Sequence, residues 1–207
     1  MLNKSCNEFI EELSSKASVP GGGSSCAFVG SLGSALSNMV CQLTLGKKKY
    51  EHVEEDIKKI LTKSTDIIER LKELVKKDME AFLPLAKAYG MPSQTEEEKA
   101  LKEEVMQKAL VEASIIPLEI ARCCGEAIDL HEELEIKGSR PVISDVGVGA
   151  LFCMAALQGA NLNILINTSM MNDSIVKDCI LAEIDELISK YVPKAESIYE
   201  RIKNTLV

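Results

Sequence analysis

The chain has no tryptophan, four phenylalanines, four tyrosines and two histidines in 207 residues. Its core must therefore be built from aliphatic side chains. His52 and His131 stand in charged surroundings and read as exposed, and no His or Cys spacing matches a metal site. The seven cysteines form an odd set without a Cys-x-x-Cys pair, and the neighbours Cys123 and Cys124 cannot easily bridge to each other. Reduced thiols and a cytoplasmic protein are expected. A basic overall balance is also missing: the net charge of −8 and pI near 5.0 argue against nucleic acid as a partner. The first eight residues hold no apolar core of signal-peptide length and read as a mature start. No segment alternates with the two-residue period of a strand, and neither repeat nor linker interrupts the chain. The expectation is one all-α domain over residues 1–207, long enough to bury roughly 70% of its unfolded surface.

Charge is missing from two long stretches, residues 17–46 and 146–172. Both have the length of a membrane span. Their serines, asparagines and glutamines fit helices buried inside a protein better, so no membrane partner is expected.

Helical signals fill the rest. Ser5 and Glu8 make a capping box for a short helix with Phe9, Ile10, Leu13 and Ala17 on one face. Val19-Pro20-Gly21-Gly22-Gly23 breaks it, and a second helix over about 24–45 stops at Gly46. A third helix, from near Glu51, carries Val53, Ile57, Ile60, Ser64, Ile67, Leu71, Leu74, Asp78, Ala81 and Leu85 at alternating steps of four and three. That is a coiled-coil seam with Ser64 and Asp78 as its polar members. Pro84 predicts a kink and Gly90-Met91-Pro92 an end. Thr95 and Glu98 then open a fourth helix, with a kink at Pro117 and a stop at Gly138. These two long helices form an antiparallel hairpin with more apolar seam than one domain needs, which points to a dimerisation element. Ser139-Arg140-Pro141 reads as a turn and Ser144-Asp145 as the cap of the second uncharged helix. Asn172-Asp173-Ser174 starts a last helix with Ile175, Cys179, Ile180, Ile184, Leu187 and Tyr191 on one face.

Three features carry chemistry. Pro20-Gly21-Gly22-Gly23-Ser24-Ser25 lets a ligand approach main-chain N–H groups at a helix N-terminus, a setting suited to an anionic or carbonyl-rich small molecule; a flexible turn is the plainer reading. Lys47-Lys48-Lys49-Tyr50 ends the first uncharged stretch abruptly, either as a solvated cationic helix end or as a local basic patch for an anion. Asp78 sits in an apolar seam, where a carboxylate must be paired, hydrogen-bonded or protonated; it is either a structural ion pair or a proton-transfer group. Asp145 is an N-cap or a second such group. Asn38 with Gln42, and Gln158 with Asn161, suit a ring of alternating donors and acceptors, or equally a buried helix–helix contact.

Together the glycine loop, Thr44-Leu45-Gly46-Lys47-Lys48-Lys49-Tyr50, Asp78-Met79-Glu80-Ala81-Phe82, Thr95-Glu96-Glu97-Glu98-Lys99, Pro117-Leu118, and Ser144-Asp145 through Gly159-Ala160-Asn161-Leu162-Asn163 resemble the cyclodeaminase domain of formiminotransferase-cyclodeaminase and the stand-alone bacterial methenyltetrahydrofolate cyclohydrolases of that family. The resemblance spans nearly the whole chain in order. It departs at Ser139-Arg140-Pro141, where many relatives carry an asparagine-containing turn, and at Ser93, where lysine is common. No transferase domain precedes the match, so channelling within one chain is not expected.

The resemblance implies an all-α array with a hairpin-mediated homodimer and a tetrahydrofolate derivative as substrate, with no metal or redox cofactor. It implies cyclodeaminase or cyclohydrolase chemistry at the carbon between N5 and N10. On it, Asp78, Asp145 and Lys48 are the candidate catalytic groups, and Gly22, Gly23, Ser24, Lys47, Lys49, Tyr50, Ser144, Asn161 and Asn163 the candidate substrate contacts. The competing class, a non-catalytic helical scaffold or folate-binding protein, explains the seam. It does not explain the glycine loop, lysines and seam aspartate together.

Overall fold

A computed structural model describes residues 5–207, and among these residues every regular element is helical. The elements are α1 (Cys6–Leu13), α2 (Gly22–Thr44), a 3-10 turn (Lys48–Val53), α3 (Glu54–Tyr89), α4 (Glu96–Lys137), a second 3-10 turn (Arg140–Val142), α5 (Ile143–Thr168) and α6 (Ser174–Leu206). Both expected capping boxes are formed, at Ser5 with Glu8 and at Thr95 with Glu98. Gly46 stops α2 in the left-handed region, at φ 73°, where a side chain is disfavoured.

The small residues of α2 explain its central place. It runs antiparallel to α3 and α5 and parallel to α4. A Cβ on Gly33 would lie 2.9 Å from the Gly149 carbonyl oxygen, and one on Gly149 3.0 Å from that of Gly33, so the two uncharged helices meet backbone to backbone. On another side, Ser64 of α3 donates to the Ser34 carbonyl at 2.9 Å. The α3 seam is buried from Ile57 to Leu74, and Asp78 and Ala81 continue it half-buried. Ion pairs hold the outer helices in register. Arg70 of α3 grips Glu126 of α4 through two bonds of 2.7 and 3.0 Å, and α6 is tied to α4 by Arg122–Glu183, Lys194–Asp129 and Arg201–Glu135.

Four sequence expectations change. Of the proposed α1 face only Phe9 is buried, against Phe28, while Ile10 and Leu13 are exposed and Ala17 lies beyond the helix. On α6 the exposed Ile175 and Cys179 precede the packed stripe, which begins at Ile180 and runs through Ile184, Tyr191, Ala195, Ile198 and Ile202. Ser144 and Asp145 are not caps: α5 begins at Ile143 after the 3-10 turn, placing both in its first turn. His131 is fully buried. It fits the groove left by Gly33, Ser37 and Gly149, where a Cβ on Gly149 would overlap its ring. Its Nε2 lies 3.2 Å from the Gly33 carbonyl and 3.1 Å from the Ser37 hydroxyl, and burial lowers its pKa to about 4.

The α3–α4 hairpin runs past the N-terminus of α2. Its far end is tied back to the α5–α6 connection, where Gln107 donates to the Met170 carbonyl and accepts from the Asn172 backbone N–H.

Candidate functional site

The N-terminus of α2 and the middle of α3 meet at Gly23 and Asp78. A Cβ on Gly23 would overlap the Asp78 carboxylate, so glycine is required for the acid to reach the helix end. Burial pushes the Asp78 carboxyl above its ordinary value, while the Ser24 backbone N–H and hydroxyl oppose that shift only in part. The Ser24 hydroxyl also accepts the Gly21 N–H at 2.9 Å, so the loop is locked to the first turn of α2. A partly buried carboxyl with a raised pKa at a helix N-terminus has the chemistry of a group that takes up and releases protons.

A cleft of about 200 Å³ opens here, lined by Ser18, Val19, Gly21, Gly22, Gly23 and Asp78, with Phe82, Ala113, Pro117, Asn163, Ile166 and Asn167 across it. Asn163 reaches Gly22 from α5: a Cβ on Gly22 would lie 3.2 Å from its Oδ1, while its Nδ2 donates to the Gly159 carbonyl at 2.8 Å. Asn167 is held by a consequence of Pro117. A proline in mid-helix cannot donate to the carbonyl four residues back, which is that of Ala113, and Asn167 Nδ2 donates to that oxygen at 2.8 Å instead. Sequence reading took Pro117 as a kink and passed over Asn167. The carbonyl orphaned by the proline was the signal that a side-chain donor would be drawn there.

Of the candidate residues, the structure brings Gly22, Gly23, Ser24, Asp78 and Asn163 together. Asn161 is half-buried and does not line the cleft, and its buried Oδ1 has no hydrogen-bond partner among the described residues. Lys47, Lys48, Lys49, Tyr50, Ser144 and Asp145 lie at the opposite end of α2. Its 23 residues make a rod roughly 35 Å long. At that far end Lys47 donates to the Ser139 hydroxyl at 2.9 Å, and the Arg140 N–H donates to the Tyr50 hydroxyl at 3.0 Å, which lowers the Tyr50 pKa.

An all-α fold with one partly buried carboxyl in a glycine-lined cleft has the make-up of a small-molecule site. Comparison with known proteins gives that class a family. A family model described as formiminotransferase-cyclodeaminase matches residues 5–186. Methenyltetrahydrofolate cyclohydrolase of Methylorubrum extorquens is 41% identical over 98% of this chain and 97% of its own length. Formimidoyltransferase-cyclodeaminase of Mus musculus is 30% identical over 86% of this chain, a match that covers 33% of that longer protein. The crystal structure of formiminotetrahydrofolate cyclodeaminase from Thermotoga maritima superposes with a TM-score of 0.84 at 31% identity, covering 98% of this chain and 96% of that one. The chain belongs to the formiminotransferase-cyclodeaminase family.

Proposed function

We propose that the chain is a folate one-carbon enzyme acting on the carbon between N5 and N10 of tetrahydrofolate, with 5,10-methenyltetrahydrofolate hydrolysis as its leading reaction. The observation that carries this is Asp78, partly buried against Gly23 at the mouth of the cleft. Similarity to a cyclohydrolase over nearly the full length of both chains favours hydrolysis.

In this reading water adds to the methenyl carbon as the Asp78 carboxylate takes one of its protons. The tetrahedral carbon then collapses: Asp78 returns the proton to N5, the carbon–N5 bond breaks, and the hydroxyl loses its proton to solvent as the N10-formyl group forms. Gly22, Gly23 and Ser24 supply backbone contacts, and Asn163 and Asn167 face the bound ring from α5. The same groups serve the deaminase direction: N10 attacks the formimino carbon on N5, the Asp78 carboxylate takes the N10 proton and returns it to the amino group, and the carbon–nitrogen bond breaks to release ammonia as the methenyl group forms. Proton transfer of this kind contributes about 10²–10⁴-fold.

The reading includes a homodimer and a cytoplasmic setting, the latter because seven free cysteines need a reducing compartment. Asp145, Lys48 and the other residues at the far end of α2 do not reach Asp78 within one subunit. The test is loss of methenyl absorbance beside ammonia release from 5-formiminotetrahydrofolate with purified protein. Methenyl loss faster than the uncatalysed rate supports the reading, and no acceleration of either reaction contradicts it in favour of a scaffold or folate-binding protein.

A further inference from the structure

Two amides of α5, Asn163 and Asn167, line the cleft across from Asp78, one helical turn apart. Their nitrogens are already engaged. Asn163 Nδ2 donates to the Gly159 carbonyl and Asn167 Nδ2 to that of Ala113, each at 2.8 Å. A carbonyl oxygen only accepts, so neither amide can turn over without setting oxygen against oxygen. The fold therefore fixes which end of each amide is left for the cleft.

The constraint is firmest at Asn167. Pro117 frees the carbonyl of Ala113, a residue only 6% exposed, whereas Glu80 and Ser189, four residues before Pro84 and Pro193, are exposed and need no such partner.

What remains is a pair of oxygens without donors. The sealed, unpartnered side-chain atoms among the described residues are Oδ1 of Asn38 and Asn161, so the oxygens of Asn163 and Asn167 open on the cleft instead. Asn167 is only 8% exposed, and an acceptor so deeply buried is costly to leave empty. The wall facing Asp78 is thus prepared for N–H donors.

A reduced pteridine carries two such donors on one edge. N5 and the 4-oxo group lie along one long edge of the bicycle, while N8–H, N1 and the 2-amino group follow the other. With the carbon between N5 and N10 held at Asp78, the second edge turns to α5. Side chains one helical turn apart stand about 5–6 Å from each other at Cβ, a spacing suited to donors on either side of N1. Asn163, opposite Gly22, is level with the reacting ring, and Asn167 lies one turn beyond it.

We propose that Asn163 and Asn167 form a fixed acceptor pair that selects the pteridine ring, Asn163 accepting N8–H and Asn167 the 2-amino group. The identity of the two donors rests on the folate reading above. Neither amide takes part in proton transfer; the pair holds the ring so that the one-carbon unit meets Asp78. A site built to accept a particular N–H rejects the analogue that lacks it, because its own buried oxygen is then left unpaired.

Three substrates test this: 5,10-methenyltetrahydrofolate, its 8-deaza analogue with CH₂ in place of N8–H, and its 2-desamino-2-methyl analogue. Each kcat/KM is divided by the uncatalysed hydrolysis rate of the same compound, which removes differences in intrinsic reactivity. Wild type should disfavour either analogue by at least about tenfold. Asn163→Ala should treat the parent and the 8-deaza compound within about threefold of each other and still reject the 2-desamino compound. Asn167→Ser should do the reverse.

Ratios between substrates on one preparation do not depend on the folded fraction, so a merely structural role would leave them at wild-type values. If Asn167→Ser does not fold, Asn163→Ala decides alone, since the Gly159 carbonyl keeps its backbone bond from residue 163 within α5. A wild type that hydrolyses all three compounds alike, or variants that keep both discriminations, overturns the acceptor pair and leaves the folate reading standing. A wild type inert toward both 5,10-methenyltetrahydrofolate and 5-formiminotetrahydrofolate ends the folate reading and the assignment of donors with it.

Discussion

The two ends of α2 are built on opposite principles. At the Gly22 end, small residues let backbone and side chains crowd together, and a carboxyl is pressed onto a helix N-terminus out of reach of any described lysine in its own cleft. At the Thr44 end the chain is open. Gly46 turns with a positive φ, Lys48 and Lys49 face solvent, and one lysine and one tyrosine tether the loop to residues 139 and 140. Both ends carry the marks of a binding site in sequence. What separates them is helix length, and motif order says nothing of distance until the elements are laid out.

The contrast is broken most severely by adding one carbon atom. Gly23→Ala should displace the Asp78 carboxylate and lower turnover by about 100-fold or more, since a misplacement near 1 Å at a reacting group costs on that order. The comparison is Gly46→Ala at the other end. Kinetics and melting temperature of both variants check this.

The middle of α2 is sensitive to pH through His131. Its folded pKa of about 4 lies below the ordinary 6.5, so the neutral ring stabilises the fold above pH 6.5 and that contribution is lost as pH falls toward 4. The full effect is on the order of 3 kcal/mol. Urea unfolding at pH 7 and pH 4.5 should show a larger drop for wild type than for His131→Asn; equal drops would place the acid sensitivity elsewhere.

Asn167→Ala sharpens the Gly22 end further. It leaves the Ala113 carbonyl without a donor beside Pro117 and should cost about 1–3 kcal/mol, read as a lower urea midpoint. Gly46→Ala has the smallest effect, about 1–2 kcal/mol from left-handed strain, with turnover per folded molecule nearly unchanged because a Cβ there meets nothing within 4 Å.

Much of this architecture was legible in the sequence. The seam from Ile57 to Leu85, both capping boxes and the Gly46 stop follow from local periodicity and backbone chemistry, and the ordered motifs identify the family; Val53 falls in the 3-10 turn before α3. What was not legible depends on neighbours. His131 reads as exposed because Glu132, Glu133 and Glu135 follow it, yet it lies three residues from both Ile128 and Leu134 on a buried stripe. Ile175 and Cys179 fit the α6 period but precede the point where α6 meets its neighbours. Ser144-Asp145 has the chemistry of a cap, but the Arg140–Val142 turn starts the helix earlier. Asn167 carries no motif and gains its place only from a carbonyl freed on another helix.

The central claim is that the Gly22 end holds the proton-transfer group. Asp78→Asn, measured for turnover and melting temperature together, tests it most directly. Burial raises the Asp78 pKa, so its ionised form costs stability that would return as pH falls and the group protonates. Removing the charge should therefore leave the melting temperature at pH 7 unchanged or higher, while turnover falls about 10²–10⁴-fold. A large loss of stability with normal turnover in the folded fraction would make Asp78 a structural residue and contradict the account.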